Sequence, residues 1–257
     1  MYCRAVASTV TSEPPPFVRL AGDPLRWRLL RELVGGDRRV RELVEAVGQP
    51  QSLVSYHLGR LRAAGLVTGR RSSFDGRDTY YHLDLDRCAQ ALTDTGTALH
   101  PGLRLEPAAP PSPVARWRVL FLCTGNSGRS PMAEALLRHR TGDRVEVASA
   151  GSQPKPLHPN AVRVMSEYGI TLSHDPTNVD TLRRRRFHVV VSLCDRVREV
   201  CPEFPSHPRL IHWSMPDPAA QDGGAVSAYR HTAAELDGRI RYLTASLTEA
   251  PAFEKTG

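Results

Sequence analysis

Residues 118–137 read RVLFLCTGNSGRSPMAEALL, and three kinds of local chemistry follow one another there. Arg118–Leu122 contains the short apolar run typical of a strand buried on both faces. From Pro131 onward the pattern is helical, and a proline suits the first helical turn. Between them lies Cys123-Thr124-Gly125-Asn126-Ser127-Gly128-Arg129, a C-x5-R loop joining strand to helix. The backbone N–H groups of Thr124, Gly125, Asn126, Ser127 and Gly128, with the Arg129 guanidinium, can converge on one tetrahedral oxyanion. Gly125 and Gly128 are expected to supply the backbone freedom that such a nest requires. The helix N-terminus adds about half a positive charge. That field favours the thiolate form of Cys123, an activated nucleophile. Ser130 is placed to hydrogen-bond the thiolate, and Asn126 to brace the loop from within.

Working outward, HVVVSL at 188–193 is a second strand-like run, and helical patterns recur at 131–140, 159–168 and 225–248. This alternation predicts an α/β domain with a central parallel sheet over residues 117–257. Two more clusters carry chemistry. LCDRVREVCP at 193–202 places six residues between Cys194 and Cys201, and HWSMPDP at 212–218 ends in Asp217-Pro218. His158 and His174 read as capping or core histidines, and Arg183–Arg186 as a solvated helix face.

Residues 100–116, HPGLRLEPAAPPSPVAR, hold five prolines and almost no apolar periodicity. Such a stretch makes a semi-rigid extended spacer and marks a domain boundary. Residues 1–99 form the other domain. Asp23 caps a helix with Pro24 at its first position, and Leu25, Leu29 and Leu33 line one face. A second helix runs through Val40, Leu43, Val44 and Val47 to Gly48. A third starts near Gln51–Ser52, buries Val54, Leu58 and Leu61, and ends at Gly65. LVTGRR, a turn at Asp75–Gly76 and TYYHL then make a hairpin.

Two helices, a tight turn and a hairpin are the parts of a winged helix-turn-helix, whose second motif helix enters the DNA major groove. Gln51, Ser52, Ser55, Tyr56 and His57 are its polar groups for base edges or phosphates. Residues 60–77 add Arg60, Arg62, Arg70, Arg71 and Arg77 against the single acid Asp75, a stripe suited to a phosphate backbone.

Composition sets the outer limits. The 257 residues are enough for two domains, and 40% hydrophobic with 24% charged residues describes a globular chain. No apolar run approaches the roughly 20 residues that span a bilayer, and MYCRAVASTVTSEPPP lacks the apolar core of a signal peptide. A cytoplasmic protein without a membrane partner is expected. Thiols stay reduced there, so five cysteines read as chemistry or chance rather than a disulfide framework. The net charge of +7 is almost wholly arginine, consistent with a polyanionic or oxyanionic partner.

The C-x5-R loop with Ser130 and the Asp217-Pro218 pair resemble the low-molecular-weight protein tyrosine phosphatase superfamily, which includes thioredoxin-coupled arsenate reductases. The resemblance spans about residues 117–247. It implies that Asp217 donates a proton to the departing oxygen. Phosphate and arsenate have nearly the same shape and charge, so the loop alone leaves phosphatase and reductase open. Cys194 and Cys201 favour the reductase, because two-electron reduction needs a thiol pair. Ala219 and Ala220 also stand where phosphatases carry an aromatic for the phosphotyrosine ring. The implied relay begins with Cys123 attacking arsenate. Cys194 then attacks Cys123 to expel arsenite, and Cys201 attacks Cys194. No bound cofactor is implied; an external thioredoxin-type dithiol resets the disulfide. Departures are Gly128, often cysteine in these loops, and Ser130-Pro131, the phosphatase-like choice. Asn126, Glu134 and Ser149 match a potassium site of some relatives, but its usual acid near Thr177 is missing and no ion is expected.

QSLVSYHLGRLRAAGLV at 51–67 with the hairpin resembles the ArsR/SmtB repressors over about residues 17–95. That implies a homodimer on inverted-repeat, double-stranded operator DNA, with residues 87–99 in the dimer interface. Familiar arsenic sensors of that family carry a cysteine pair on the first motif helix; VRELVEAVG at 40–48 has none. Outside the relay only Cys3 and Cys88 are left as an arsenite site. The expectation is an arsenate reductase fused to an arsenic-responsive repressor. The alternatives are a tyrosine phosphatase fused to the regulator, or a non-enzymatic regulator that senses oxyanions.

Overall fold

A computed structural model describes residues 13–74, 76–104, 117–200, 203–204 and 208–247. Cys3, Cys201, Asp75, the linker residues 105–116 and the end of the last expected helix at 248 lie outside that set. Among the described residues no helix is long and apolar enough to cross a membrane.

The N-terminal unit is a winged helix-turn-helix. Helix α1 (Pro16–Ala21) precedes α2 (Pro24–Val34), which Asp23 caps by accepting hydrogen bonds from the Leu25 and Arg26 amides at 3.0 Å. After a two-residue strand β1 (Arg38–Arg39), α3 (Val40–Val47) stops at Gly48, whose φ of 63° suits a residue without Cβ. Helix α4 (Gln51–Ala63) then leads to the wing strands β2 (Val67–Arg71) and β3 (Thr79–Leu83) and to α5 (Leu85–Leu99). The strands pair antiparallel in the order β1-β3-β2. Leu29, Leu33, Leu43, Val54, Leu58 and Leu61 form the centre of this unit's core.

The second unit carries a four-stranded parallel sheet, order β5-β4-β6-β7, from β4 (Trp117–Cys123), β5 (Val145–Gly151), β6 (Val189–Ser192) and β7 (Arg209–His212). Helices α6 (Arg129–Thr141), α7 (Pro159–Glu167) and α9 (Val226–Ala245) pack on one another, and the short α8 (Asp195–Val200) follows β6. Because β5 and β6 flank β4 on opposite sides, the chain reverses its winding at β4. In open α/β sheets that switch point, at the carboxyl ends of the strands, is where ligands bind. Cys123 ends β4 there, opposite Gly151. The run Arg183–Arg186, expected on a helix, instead follows a 3-10 turn at Val179–Leu182; all four arginines are exposed.

The two units meet through buried polar contacts. Gly36 adopts φ 131°, and a Cβ there would stand 3.0 Å from the His212 carbonyl oxygen. This close approach lets the Asp37 N–H donate to that oxygen at 2.7 Å. The buried Asp37 carboxylate accepts from Arg239 Nη1 at 2.9 and 3.1 Å, the Ser214 amide at 2.8 Å and His82 Nδ1 at 2.9 Å. Arg239 is held further by Glu235 at 2.7 Å. Burial by itself would raise the Asp37 pKa, but Arg239 and His82 outweigh it and hold the group well below the carboxylate range. Asp195 behaves alike: burial opposes ionisation, yet the His212 ring and the Ser73 amide bring it down to about 2. Both groups bind fewer protons folded than unfolded, so their stabilisation is complete above about pH 4 and is lost as pH falls toward 2. Urea midpoints measured from pH 6 to pH 2.5 should drop steeply below pH 4; a flat profile would exclude this role.

Candidate active site

The loop after β4 is shaped by one residue in a left-handed conformation, and that residue is Asn126, with φ 47°. Gly125 and Gly128, expected to supply that freedom, do not adopt positive φ. Their lack of a Cβ matters for space instead. A Cβ on Gly128 would come within 3.3 Å of the Tyr229 ring, and one on Gly125 within 3.0 Å of Ser127 Oγ. Asparagine tolerates the left-handed region when its amide is bonded locally, and here each polar atom of the side chain has partners. Nδ2 donates to Ser130 Oγ at 3.0 Å and Ser149 Oγ at 2.9 Å. Oδ1 accepts from the Thr177 amide at 2.7 Å and His174 Nε2 at 2.8 Å. Ser149 passes the chain on to Glu134 Oε2 at 2.7 Å. The Asn126, Glu134 and Ser149 cluster is thus closed by the His174 imidazole, which burial keeps neutral by lowering its pKa.

With the loop so held, the Cys123 sulfur is buried and lies 2.9 Å from Ser130 Oγ and 3.2 Å from the Asn126 amide. Arg129, also buried, donates from Nη1 to the Met215 carbonyl at 2.8 Å and lies 3.5 Å from Asp217 Oδ2. Asp217 is itself exposed and accepts from the Ala219 amide at 3.2 Å. It therefore sits at the mouth of the site, against the guanidinium and open to solvent. Tyr229 walls the loop beneath Gly128 and stacks on His158, with ring centroids 4.6 Å apart. Burial and the Asp217 charge, against Arg129, push its phenol up to about 12, so it is neutral. His158 caps α7, accepting from the Asn160 amide at 3.2 Å. The Cys194 thiol lies 3.3 Å from Thr124 Oγ1. It arrives there because β6 runs parallel to β4 with Leu122 opposite Ser192, so the two strands end side by side. Cys201 is outside the described residues.

In the N-terminal unit the exposed face of α4 presents Gln51, Ser52, Ser55 and Tyr56, with Arg60 and Arg62 beyond them. His57 is a correction. It is buried, three residues after Val54 and four before Leu61 on the core-facing side, with Nδ1 3.8 Å from Asp23. Arg70 is another: it bonds the Ser214 carbonyl, and Glu235 at 3.2 Å, rather than projecting freely. Arg71 stays exposed and donates to the Gly76 carbonyl at 3.2 Å. Cys88 is half-buried on α5, and burial with the Asp84 charge pushes its thiol up to about 11. Its proposed companion Cys3 lies outside the described residues. Sequence reasoning missed Tyr229 and Met215, which are distant in the chain and carry no local signal.

Residues 118–252, more than half of the chain, match the family model described as low molecular weight phosphotyrosine protein phosphatase. The chain belongs to that family. Residues 23–68 match the bacterial regulatory protein arsR family, so a phosphatase-family domain follows an ArsR-family helix-turn-helix. The arsenate reductase of Halalkalibacterium halodurans is 37% identical over 127 residues, which cover 48% of this chain and 91% of that protein. That of Shouchella clausii is 44% identical over 108 residues, 41% of this chain and 76% of its own. A solved structure described as an arsenate reductase in the phosphate binding state is 26% identical, covering 51% of this chain and 99% of that one with a TM-score of 0.44.

Against this loop, at the end of β5, Gly151 has no room for a side chain, since a Cβ would sit 2.6 Å from the Thr124 oxygen and 2.8 Å from the Asn126 nitrogen. Gly151→Ala should therefore displace the nest and weaken phosphate binding at least about tenfold, given the steep cost of ångström-scale misplacement. Calorimetric titration with phosphate checks this. Unchanged affinity would show that the loop does not depend on this contact.

Proposed function

We propose that the chain is an arsenate reductase joined to an arsenic-responsive transcriptional repressor. The observation that carries the reductase half is the second thiol at the oxyanion loop, Cys194, 3.3 Å from Thr124 Oγ1 and just past the strand that pairs in parallel with the Cys123 strand. Hydrolysis of a phosphate ester uses one thiolate. Reduction of arsenate takes two electrons, which two thiols supply as they become a disulfide. The naming of the similar proteins as arsenate reductases supports the same reading.

Arsenate is held by the loop amides and Arg129. Cys123 attacks arsenic, and one oxygen leaves as water with a proton from Asp217. Cys194 then attacks the Cys123 sulfur; the S–As bond breaks, its electron pair stays on arsenic, and arsenite departs. Cys201 attacks Cys194, freeing Cys123 and leaving a Cys194–Cys201 disulfide. In sum, hydrogen arsenate, two thiols and two protons give arsenous acid, one disulfide and one water. A thioredoxin-type dithiol restores the thiols by exchange.

For the repressor half, Gln51, Ser52, Ser55 and Tyr56 read base edges, and Arg60 and Arg71 contact phosphates. Helix α5 exposes Leu92 and Leu99 for a second copy of the chain, giving the homodimer that an inverted-repeat operator requires. Cys88, with Cys3, is the thiol pair outside the relay that remains for arsenite as inducer. A phosphatase reading draws on the family's name and on Ser130-Pro131.

Two experiments test the two halves. With thioredoxin, thioredoxin reductase and NADPH, the wild type should turn over arsenate and Cys123→Ser should not. Cys201→Ser should stop after about one turnover with a Cys123–Cys194 disulfide visible by mass spectrometry. Repeated turnover by Cys201→Ser would sink the relay, and an inactive wild type that hydrolyses p-nitrophenyl phosphate would establish the phosphatase instead. In DNA titrations Arg71→Ala should weaken binding to every sequence and lower the salt slope by about 1, whereas Gln51→Ala should change base preference. Absence of salt-sensitive binding would remove the repressor half.

A further inference from the structure

The six-residue helix α8 fills the whole interval between the second and third relay cysteines, and it is also what the DNA-binding wing rests on. Asp195 Oδ2 accepts from the Ser73 amide at 2.7 Å and from the Ser73 hydroxyl at 3.0 Å. The Arg196 guanidinium lies 5.8 Å from the centre of the Phe74 ring, at the wing tip. Arg198 lies 5.3 Å over the ring of Tyr80 on β3 and pairs with Glu42 on α3, the first helix of the DNA-binding motif. On its other side Asp195 is fixed by His212 Nε2 at 3.1 Å. Three of the helix's six residues thus hold the wing or the motif.

A disulfide between Cys194 and Cys201 is incompatible with that helix. Six helical residues advance about 9 Å, whereas bridged cysteines need their Cα atoms within about 6.8 Å. Closing the bond must take turns out of α8 and carry Asp195, Arg196 and Arg198 away from their partners. The neighbouring interface contains a cavity of about 230 Å3, lined by Gly36, Arg38, Arg198, Leu210 and His212 among others. The anchors that lie off α8, Asp37 with Arg239 and Arg70 with Glu235, keep the two units joined.

We infer that α8 is a redox-sensitive clamp on the DNA-binding wing, closed in the dithiol protein and opened by the Cys194–Cys201 disulfide. Arsenate turnover would open it by way of the relay proposed above, but the clamp itself needs only the disulfide. In the closed form Ser73 and Phe74 of the tip are held against α8; in the open form those contacts are broken and the two residues are released toward the DNA backbone. Each turnover would then be reported to the DNA-binding surface before the external dithiol closes the clamp again.

The test separates the clamp from arsenate chemistry by using full-length Cys123→Ser oxidised with diamide. That reagent takes two electrons and two protons from the thiols and becomes a hydrazine. Mass spectrometry follows the Cys194–Cys201 disulfide, and hydrogen exchange follows the Ser73 amide. Exchange at Ser73 should quicken at least about tenfold on oxidation, the factor a hydrogen bond to a carboxylate confers, and DNA affinity should rise with it. Reduced Asp195→Ala should show the same faster exchange. A disulfide that forms while Ser73 remains protected overturns the clamp and leaves the reductase reading intact. Failure of the disulfide to form overturns the clamp and the last relay step together. Protection retained in reduced Asp195→Ala would also refute it, since Asp195 would not be holding the wing.

Discussion

The oxyanion loop depends on keeping Asn126 left-handed at the bottom of a nest of backbone amides. A non-glycine residue in that conformation is strained unless its surroundings over-determine it. Here the side-chain amide makes four hydrogen bonds, to Ser130, Ser149, His174 and the Thr177 backbone. Two of those partners reach the chemistry or its support directly: Ser130 touches the Cys123 sulfur, and Ser149 bonds Glu134 on α6. The nest is therefore assembled by elements that converge only at the carboxyl end of the sheet, which is why the parallel order β5-β4-β6 matters for it. Arg129 and Asp217 complete the rim from α6 and from the segment after β7.

A second constraint sets how the two units meet. A carboxylate as buried as Asp37 is costly unless paired and hydrogen-bonded, and its partners come from both sides: His82 from the wing, Ser214 and Arg239 from the catalytic unit. Such a network contributes orientation as much as stability. It also brings the wing to α8 and commits Arg70 to Glu235, so a residue whose type suggests DNA phosphate serves the join between units. The result places a helix-turn-helix unit directly beside α8, the helix that follows Cys194.

Much of this was legible in the linear order of residues, for definite reasons. Alternating strand and helix patterns give a parallel sheet, and the Asp23-Pro24 and Gly48 signals locate helix ends because capping is local. Cys123, Arg129 and Ser130 stand out because the C-x5-R spacing itself closes the loop. The misreadings have equally definite causes. His57 looked like a groove contact because its type is polar, but helical geometry turns it inward with Val54 and Leu61. Gly125 and Gly128 were expected to take the left-handed role for want of a Cβ. The loop gives it to Asn126, whose side chain has distant partners to stabilise it, while the glycines make room for Tyr229 and Ser127.

Sequence alone determined the two units, their fold classes, the C-x5-R loop with Cys123 and Arg129, and the place of the helix-turn-helix. Each of these rests on interactions within a few residues of chain or on a repeating pattern. Tertiary structure alone decided the partners of Asn126, the approach of Cys194 to Thr124, the wall formed by Tyr229 and the seating of the wing on α8. Apart from Asn126 with Ser130, those contacts join residues 23 to 122 positions apart, and burial of polar groups selects them only after the sheet has formed and each buried donor and acceptor must find a partner.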